Sequence, residues 1–136
     1  MSIPAVIRIL IVDDHPAVRE GLREMISAQG DMSVVGIASD GLEAVRLCQE
    51  LRPDVAVMDM RLPKLNGLEA IRTIRRTNLQ SRFIVMTGFQ GDQGCEQALN
   101  AGASAFLLKE MFGDELLAAI RAVYAQPENL PTEPRT

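Results

Sequence analysis

Short unbroken apolar runs alternate along this chain with longer stretches in which apolar residues recur every three or four positions. The runs Ile7 to Val12, Met32 to Ala38, Val55 to Met58, Phe83 to Thr87 and Ala105 to Leu108 have strand length. They read as continuous Val/Ile/Leu segments instead of alternating ones, as strands covered on both faces should. Between the first two, Val18, Leu22, Met25 and Ile26 form a helical stripe that opens at Pro16, suited to a first turn, and ends near Gly30. Asp40 with Glu43 makes a capping-box pattern before Ala44, Leu47, Cys48 and Leu51, and Pro53 stops that helix. Asn66 with Glu69 repeats the arrangement before Ile71 and Ile74, while Leu116, Ile120 and Val123, widened by Leu117 and Tyr124, mark a last helix. The fourth helix is the weakest. Gly88, Gly91 and Gly94 precede Cys95 to Leu99, and each interior Gly costs about 1 kcal/mol relative to Ala, so a long, mobile loop and a short helix ending at Gly102 are expected. Strands alternating with helices in this way predict an α/β fold with right-handed βαβ crossovers, a (βα)5 doubly wound parallel sheet.

Composition narrows the picture. With 136 residues the chain has the size of one domain, and 47% hydrophobic against 24% charged residues is the balance of a soluble globular protein. No apolar stretch approaches the roughly 18 residues of a membrane span, and no signal peptide opens the chain, so the cytoplasm is the expected compartment and no membrane partner is expected. A formal charge of -4 argues against direct nucleic-acid binding, which rests on phosphate neutralisation by a basic surface. Arg72, Arg75 and Arg76 are read as a solvated helix face. Cys48 and Cys95 form no CxxC pattern and are read as reduced structural thiols. From Gln126 to Thr136 the chain carries Pro127, Pro131 and Pro134 and little that is apolar, the character of a tail or the start of a linker.

The chemistry gathers at strand ends. In a doubly wound sheet, ligands bind outside the carboxyl ends of the strands. Asp13 and Asp14 end the first strand, Asp59 the third and Thr87 the fourth, and Lys109 lies just past the fifth. Two carboxylates about 4 Å apart repel by about 4 kcal/mol at an effective dielectric of 20, so three demand a cation, a proton or an open mouth. Lys109 offsets one charge. Ligation read as oxygen-only and carboxylate-rich, with no His or Cys taking part, suits Mg²⁺ better than Ca²⁺, since nothing here resembles a dedicated calcium loop.

Four ordered motifs carry a resemblance: Ile9 to Pro16, Val57 to Pro63 with Asn66 to Glu69, Val85 to Gly88, and Gly102 to Lys109. Across about residues 7 to 125 the chain resembles a bacterial two-component response regulator receiver domain. The stretch Asp13-Asp14-His15-Pro16 followed by Val18 to Leu22 resembles in particular the receivers that precede a LuxR-type helix-turn-helix. The resemblance implies a flavodoxin-like fold with strand order 2-1-3-4-5, a receiver domain over 1–125, and a Pro-rich tail or linker start over 126–136. It further implies Asp59 as phosphoryl acceptor, Asp14 and Asp59 as direct Mg²⁺ ligands, Asp13 acting mainly through water, and the Arg61 backbone carbonyl completing the protein ligands. Lys109 and Thr87 would meet the phosphoryl oxygens, and Thr87 and Phe106 would form the conformational switch. Phe106 read as a plain core aromatic is the bland alternative. The implied partners are a sensor histidine kinase or phosphotransfer protein and, through the face made by helix 4, strand 5 and helix 5, a second copy of the chain. Catalysis would be confined to the domain's own phosphorylation and dephosphorylation.

Several positions depart from the commonest family pattern. Glu110 follows Lys109 where many relatives have a proline, so a trans bond is expected there. Lys64-Leu65-Asn66 replaces a turn that more usually contains Gly. Gly88 and the glycines after it would loosen the coupling to the fourth helix, and Arg61 and Phe89 flank the acceptor, where they would gate water. His15 is read as shaping the first loop. Among rivals, a Mg²⁺-dependent phosphohydrolase of the haloacid dehalogenase type needs a second Asp two positions after the nucleophile, where Arg61 stands. A flavodoxin would place Asp13 and Asp14 against a cofactor phosphate. The output remains open between a single-domain regulator acting by protein contact and the receiver part of a DNA-binding regulator.

Overall fold

The computed structural model describes residues 6–77, 81–88, 92–109 and 113–126, with side chains left out for 92–96. Ten elements alternate along the chain: β1 (Ile7–Val12), α1 (Pro16–Ser27), β2 (Met32–Ala38), α2 (Gly41–Leu51), β3 (Val55–Asp59), α3 (Gly67–Thr77), β4 (Arg82–Thr87), α4 (Asp92–Ala101), β5 (Ala105–Leu108) and α5 (Asp114–Ala125). All strand pairs are parallel and the order is β2-β1-β3-β4-β5. The order reverses after β1, so β1 and β3 lie side by side and their carboxyl ends frame one crevice.

Each face of the sheet has its own core. Leu10, Val12, Ala56, Met58, Phe83 and Val85 point to the side covered by α2, α3 and α4, where they meet Cys48, Ile71 and Ile74. Their sequence neighbours Ile9, Ile11, Val57 and Ile84 point to the other side and meet Leu22 and Ile26 of α1 and Leu116 and Ile120 of α5. This two-sided burial explains the continuous apolar runs of β1, β3 and β4. It does not extend to the edges: most of β2 and all of β5 are only partly buried, and Ile37 is exposed. Burial pushes the Cys48 thiol up to about 12, which keeps it an inert core group. Cys95 falls among the side chains not described.

The helix caps follow the sequence with one variation. Asp40 Oδ1 accepts from the Glu43 amide at 2.8 Å, and the Glu43 carboxylate reaches back to the Ser39 amide at 2.8 Å, one residue beyond the N-cap amide of the usual box. Asn66 Oδ1 caps α3 through the Glu69 amide at 2.9 Å.

Two expectations need correction. The glycine-rich segment does not leave a short fourth helix: α4 runs from Asp92 to Ala101 and takes Gly94 into its first turn, where the helix packs Ala98 and Ala101 into the core and tertiary burial outweighs propensity. Gly88 lies before it, and 89–91 lie outside the described residues. Arg75 does not belong to a solvated face. Its guanidinium sits 5.0 Å from the Phe83 ring centroid and donates to the Gly102 carbonyl at 2.6 Å, tying α3 to the end of α4. Arg72 and Arg76 are exposed as expected.

Candidate functional site

The strand register brings the expected residues to one edge. Asp59 closes β3 opposite Met86, and Thr87, the next residue, closes β4 opposite Leu108. The Met60 amide continues the ladder to the Met86 carbonyl at 2.9 Å, and the Asp13 amide continues it to Ala38 at 3.1 Å, so both carboxylates are held by backbone that is still sheet-like. Lys109 follows β5 directly.

The loops above the sheet are packed closely. A Cβ on Gly67 would lie 2.6 Å from the Asp59 carbonyl oxygen, so α3 starts against the backbone of Asp59. One on Gly41 would lie 1.7 Å from the Leu65 carbonyl oxygen, which admits only glycine where the β3–α3 loop rests on the start of α2. That loop turns at Lys64, whose φ of 69° is the left-handed conformation a glycine more often supplies. The Lys64 ammonium stands 3.5 Å from the Asp40 carboxylate.

At the centre, Lys109 Nζ lies 3.0 Å from Asp59 Oδ2 and 3.2 Å from Asp13 Oδ2. Asp13 and Asp59 are 2% and 4% exposed, whereas Asp14 reaches solvent. The other oxygen of Asp59, Oδ1, accepts from the Arg61 amide at 3.1 Å. Burial raises the Asp59 pKa above the ordinary carboxylate value and the Asp13 charge adds to that, outweighing the Lys109 and Arg61 hydrogen bonds. Burial works to lower the Lys109 pKa, but the hydrogen bonds and charges of Asp59 and Asp13 outweigh it and leave Lys109 raised, a stable cation.

Two carboxylates thus face one lysine with the Asp14 carboxylate close by, and Asp13, Asp14, His15 and Asp59 each offer an atom within 4.8 Å of the others. The donor set fits a hard divalent cation, which would neutralise the excess negative charge. Beside it a cavity of about 460 Å³, lined by Asp14, Met60, Arg61, Leu62, Pro63, Asn66 and Leu68, opens to the surface.

Sequence reasoning undervalued two neighbours. His15 turns its ring into the carboxylates, with Nδ1 2.9 Å from Asp13 Oδ1. Arg19 on α1 donates to the Asp13 carbonyl at 3.0 Å; its place one turn into the helix was the only sequence signal. Thr87 is buried at the edge, and Phe106, paired with Val85, is half-buried against the α2–α4 core. Phe89 and Glu110 lie outside the described residues.

The family model described as the response regulator receiver domain matches residues 9–121. The chain belongs to that family. Among curated relatives this receiver is 44% identical over 116 residues to the transcriptional regulatory protein LiaR of Bacillus subtilis (strain 168), covering 85% of this chain and 55% of that protein. It is 37% identical over 117 residues to the nitrate/nitrite response regulator protein NarL of Escherichia coli (strain K12), covering 86% and 54%. The structure of a LuxR-family two-component response regulator from Aurantimonas sp. SI85-9A1 superimposes with a TM-score of 0.86 at 41% identity, over 91% of this chain and 89% of that one. The receiver is therefore of the LuxR type, with the flavodoxin-like fold, and it spans about half the length of the curated relatives it matches. Receiver domains take Mg²⁺ in an acidic pocket and interact with histidine kinases or phosphotransfer proteins; here Asp13, Asp14 and Asp59 form an acidic cluster. Receivers of transcriptional regulators are in general not classical enzymes. Among the described residues no helix is long and apolar enough to cross a membrane.

Proposed function

We propose that this receiver accepts a phosphoryl group from a sensor histidine kinase or phosphotransfer protein onto Asp59. The observation that carries the reading is the Lys109 ammonium bridging Asp59 and Asp13 at the strand ends, 3.0 and 3.2 Å away. A carboxylate oxygen of Asp59 attacks phosphorus as the donor's P–N or P–O bond breaks, and the leaving atom takes a proton from solvent. Lys109 follows the incoming phosphoryl oxygens and offsets their charge, while the Arg61 amide holds the second Asp59 oxygen and orients the nucleophile. Mg²⁺, held by Asp14, Asp59 and the Arg61 carbonyl with Asp13 acting through water, supplies further charge neutralisation when bound.

The switch follows from the same edge. Thr87 donates its hydroxyl to a phosphoryl oxygen only once that group is present, which draws Thr87 inward, and Phe106 turns toward the space this vacates. The face of α4, β5 and α5 then changes and serves homodimer formation. The output is transcriptional: LiaR and other curated relatives are named as transcriptional regulatory proteins, and the chain matches about half of each. On this reading residues 1–125 form the receiver, 126–136 lead into a linker, and the protein works in the cytoplasm.

The test is incubation with Mg²⁺ and acetyl phosphate, read by intact mass. The wild type gains one hydroxylamine-labile phosphoryl group, and Asp59→Asn and EDTA-treated protein do not. A wild type that stays unmodified, or an Asp59→Asn variant modified to the same extent, refutes the acceptor role.

A further inference from the structure

His15 stands at the start of α1 without capping it. Its side chain makes no cap hydrogen bond, although its φ of -95° and ψ of 113° are those of an N-cap residue. The ring instead turns into the acidic cluster. Nδ1 lies 2.9 Å from Asp13 Oδ1, 3.2 Å from Asp14 Oδ1 and 3.9 Å from Asp59 Oδ2. In an octahedral complex with ligands at about 2.1 Å, adjacent donors stand about 3.0 Å apart and opposite donors about 4.2 Å. The separations from Asp14 and Asp59, the two carboxylates read as direct ligands, fall at or near that range, so Nδ1 stands where a further ligand of the same ion would stand, while the 2.9 Å contact with Asp13 is a hydrogen bond.

The backbone fixes that place. The His15 amide donates to Asp13 Oδ1 at 2.8 Å, its carbonyl accepts from Arg19 at 3.0 Å, and Pro16 restricts the next φ. Only χ1 and χ2 remain to aim the ring. The outer part of the ring faces water, for the side chain is 61% exposed.

We propose that His15 Nδ1 is a ligand for a first-row transition-metal dication at this cluster, so that the receiver takes Mn²⁺, Co²⁺ or Ni²⁺ through a mixed nitrogen and oxygen set. The inference rests on the reading of the cluster as a cation site and specifies its selectivity. Imidazole adds little for Mg²⁺, which prefers oxygen and keeps its waters, and adds much for the later ions of the series.

His15 is the only histidine of the chain, which makes the test unambiguous in tag-free protein. Pulsed EPR of the Mn²⁺ complex shows ¹⁴N coupling from a bound imidazole, converted to a ¹⁵N pattern by labelling histidine alone and abolished in His15→Ala. Calorimetric titrations give the second readout: His15→Ala and His15→Asn weaken Ni²⁺ binding by about tenfold or more, while Mg²⁺ binding changes by less than about twofold. A wild-type Mn²⁺ complex with no histidine coupling, or equal losses of Ni²⁺ and Mg²⁺ affinity, overturns the proposal and leaves the phosphoryl-acceptor reading standing. A wild type that binds neither Mg²⁺ nor Ni²⁺ overturns both.

Discussion

Burial holds the Asp59 carboxyl above the ordinary carboxylate value while Lys109 and the Arg61 amide pull it back, so Asp59 sits in surroundings that oppose its own charge. A folded-state pKa above the unfolded one means that the folded protein binds this proton more tightly. Stability from this group is present below the ordinary Asp pKa and is lost as pH rises through the raised value. At neutral pH the metal-free domain therefore carries a penalty at Asp59, and Asp59→Asn removes it. Thermal unfolding in EDTA is expected to show the variant melting a few degrees above wild type at pH 7, with the gap closing as pH falls below the ordinary carboxylate range. Saturating Mg²⁺ narrows or reverses the order, because an ion that binds the folded state alone stabilises wild type by about 2.7 kcal/mol at a hundred times its dissociation constant. A variant less stable than wild type at pH 7 without metal would mean that the Lys109 contact outweighs burial. This part of the site was legible in the sequence because Asp13 and Lys109 follow directly on strands, Asp14 comes one residue later and Asp59 ends β3. The inward turn of His15 was not, because a ring beside carboxylates in sequence points either way until the loop is built.

At the level of elements, the β3–α3 loop and α2 form one unit. Asp40 caps α2, pairs with Lys64 and stands beside Gly41, over which Leu65 passes. Asp40→Ala is expected to cost about 1 kcal/mol in urea unfolding, the usual loss for an N-cap; a loss below about 0.3 kcal/mol would show that neither the cap nor the contact with Lys64 matters. Capping is read easily from sequence since donor and acceptor lie three residues apart. Close approach is not, since Gly41 and Leu65 meet only through the fold. The same limit hid Arg75. Three arginines at helical spacing suggest a wet face, yet Arg75 lies over Phe83, and burial, with Arg82 adding to it, brings its guanidinium down to about 10, still charged at neutral pH. Arg75→Met keeps the bulk and removes the bond to the Gly102 carbonyl, which follows α4 directly. Amide exchange in α4 and at Ala103, whose amide bonds the Ala98 carbonyl, is expected to quicken by about tenfold or more, the equivalent of roughly 1.4 kcal/mol of local opening. Exchange in β1 then changes less, and equal acceleration there would mean that Arg75 supports the whole domain and not the α3–α4 junction.

For the whole molecule, the strands join what the helices separate. Leu10 and Val12 enter one core and Ile9 and Ile11 the other, so neither face of β1 keeps its strand without the second. The run of apolar residues announced this two-sided sheet, and the limits of β1, β2 and β5 agree with the apolar runs because each run ends at a polar or turn residue. What the runs could not show is that β2 and β5 lie at the edges, since strand order depends on crossovers and not on local pattern. Opposite-face truncations test the coupling. Ile74→Ala opens the α3 side and Ile120→Ala the α5 side, both at fully buried positions, and each is expected to cost about 2–5 kcal/mol. Tyr124, the sole tyrosine in a chain without tryptophan, packs beside the α1–α5 core, whereas far-UV circular dichroism reports every helix. If the sheet makes the two cores one cooperative unit, the two signals follow the same denaturant curve in both variants, and the two single losses add because the sites sit on opposite sides of the sheet. Separate transitions in Ile74→Ala, with Tyr124 holding while helicity falls, would show that the α2–α4 side unfolds on its own, a local opening on the side that carries α4 and Phe106.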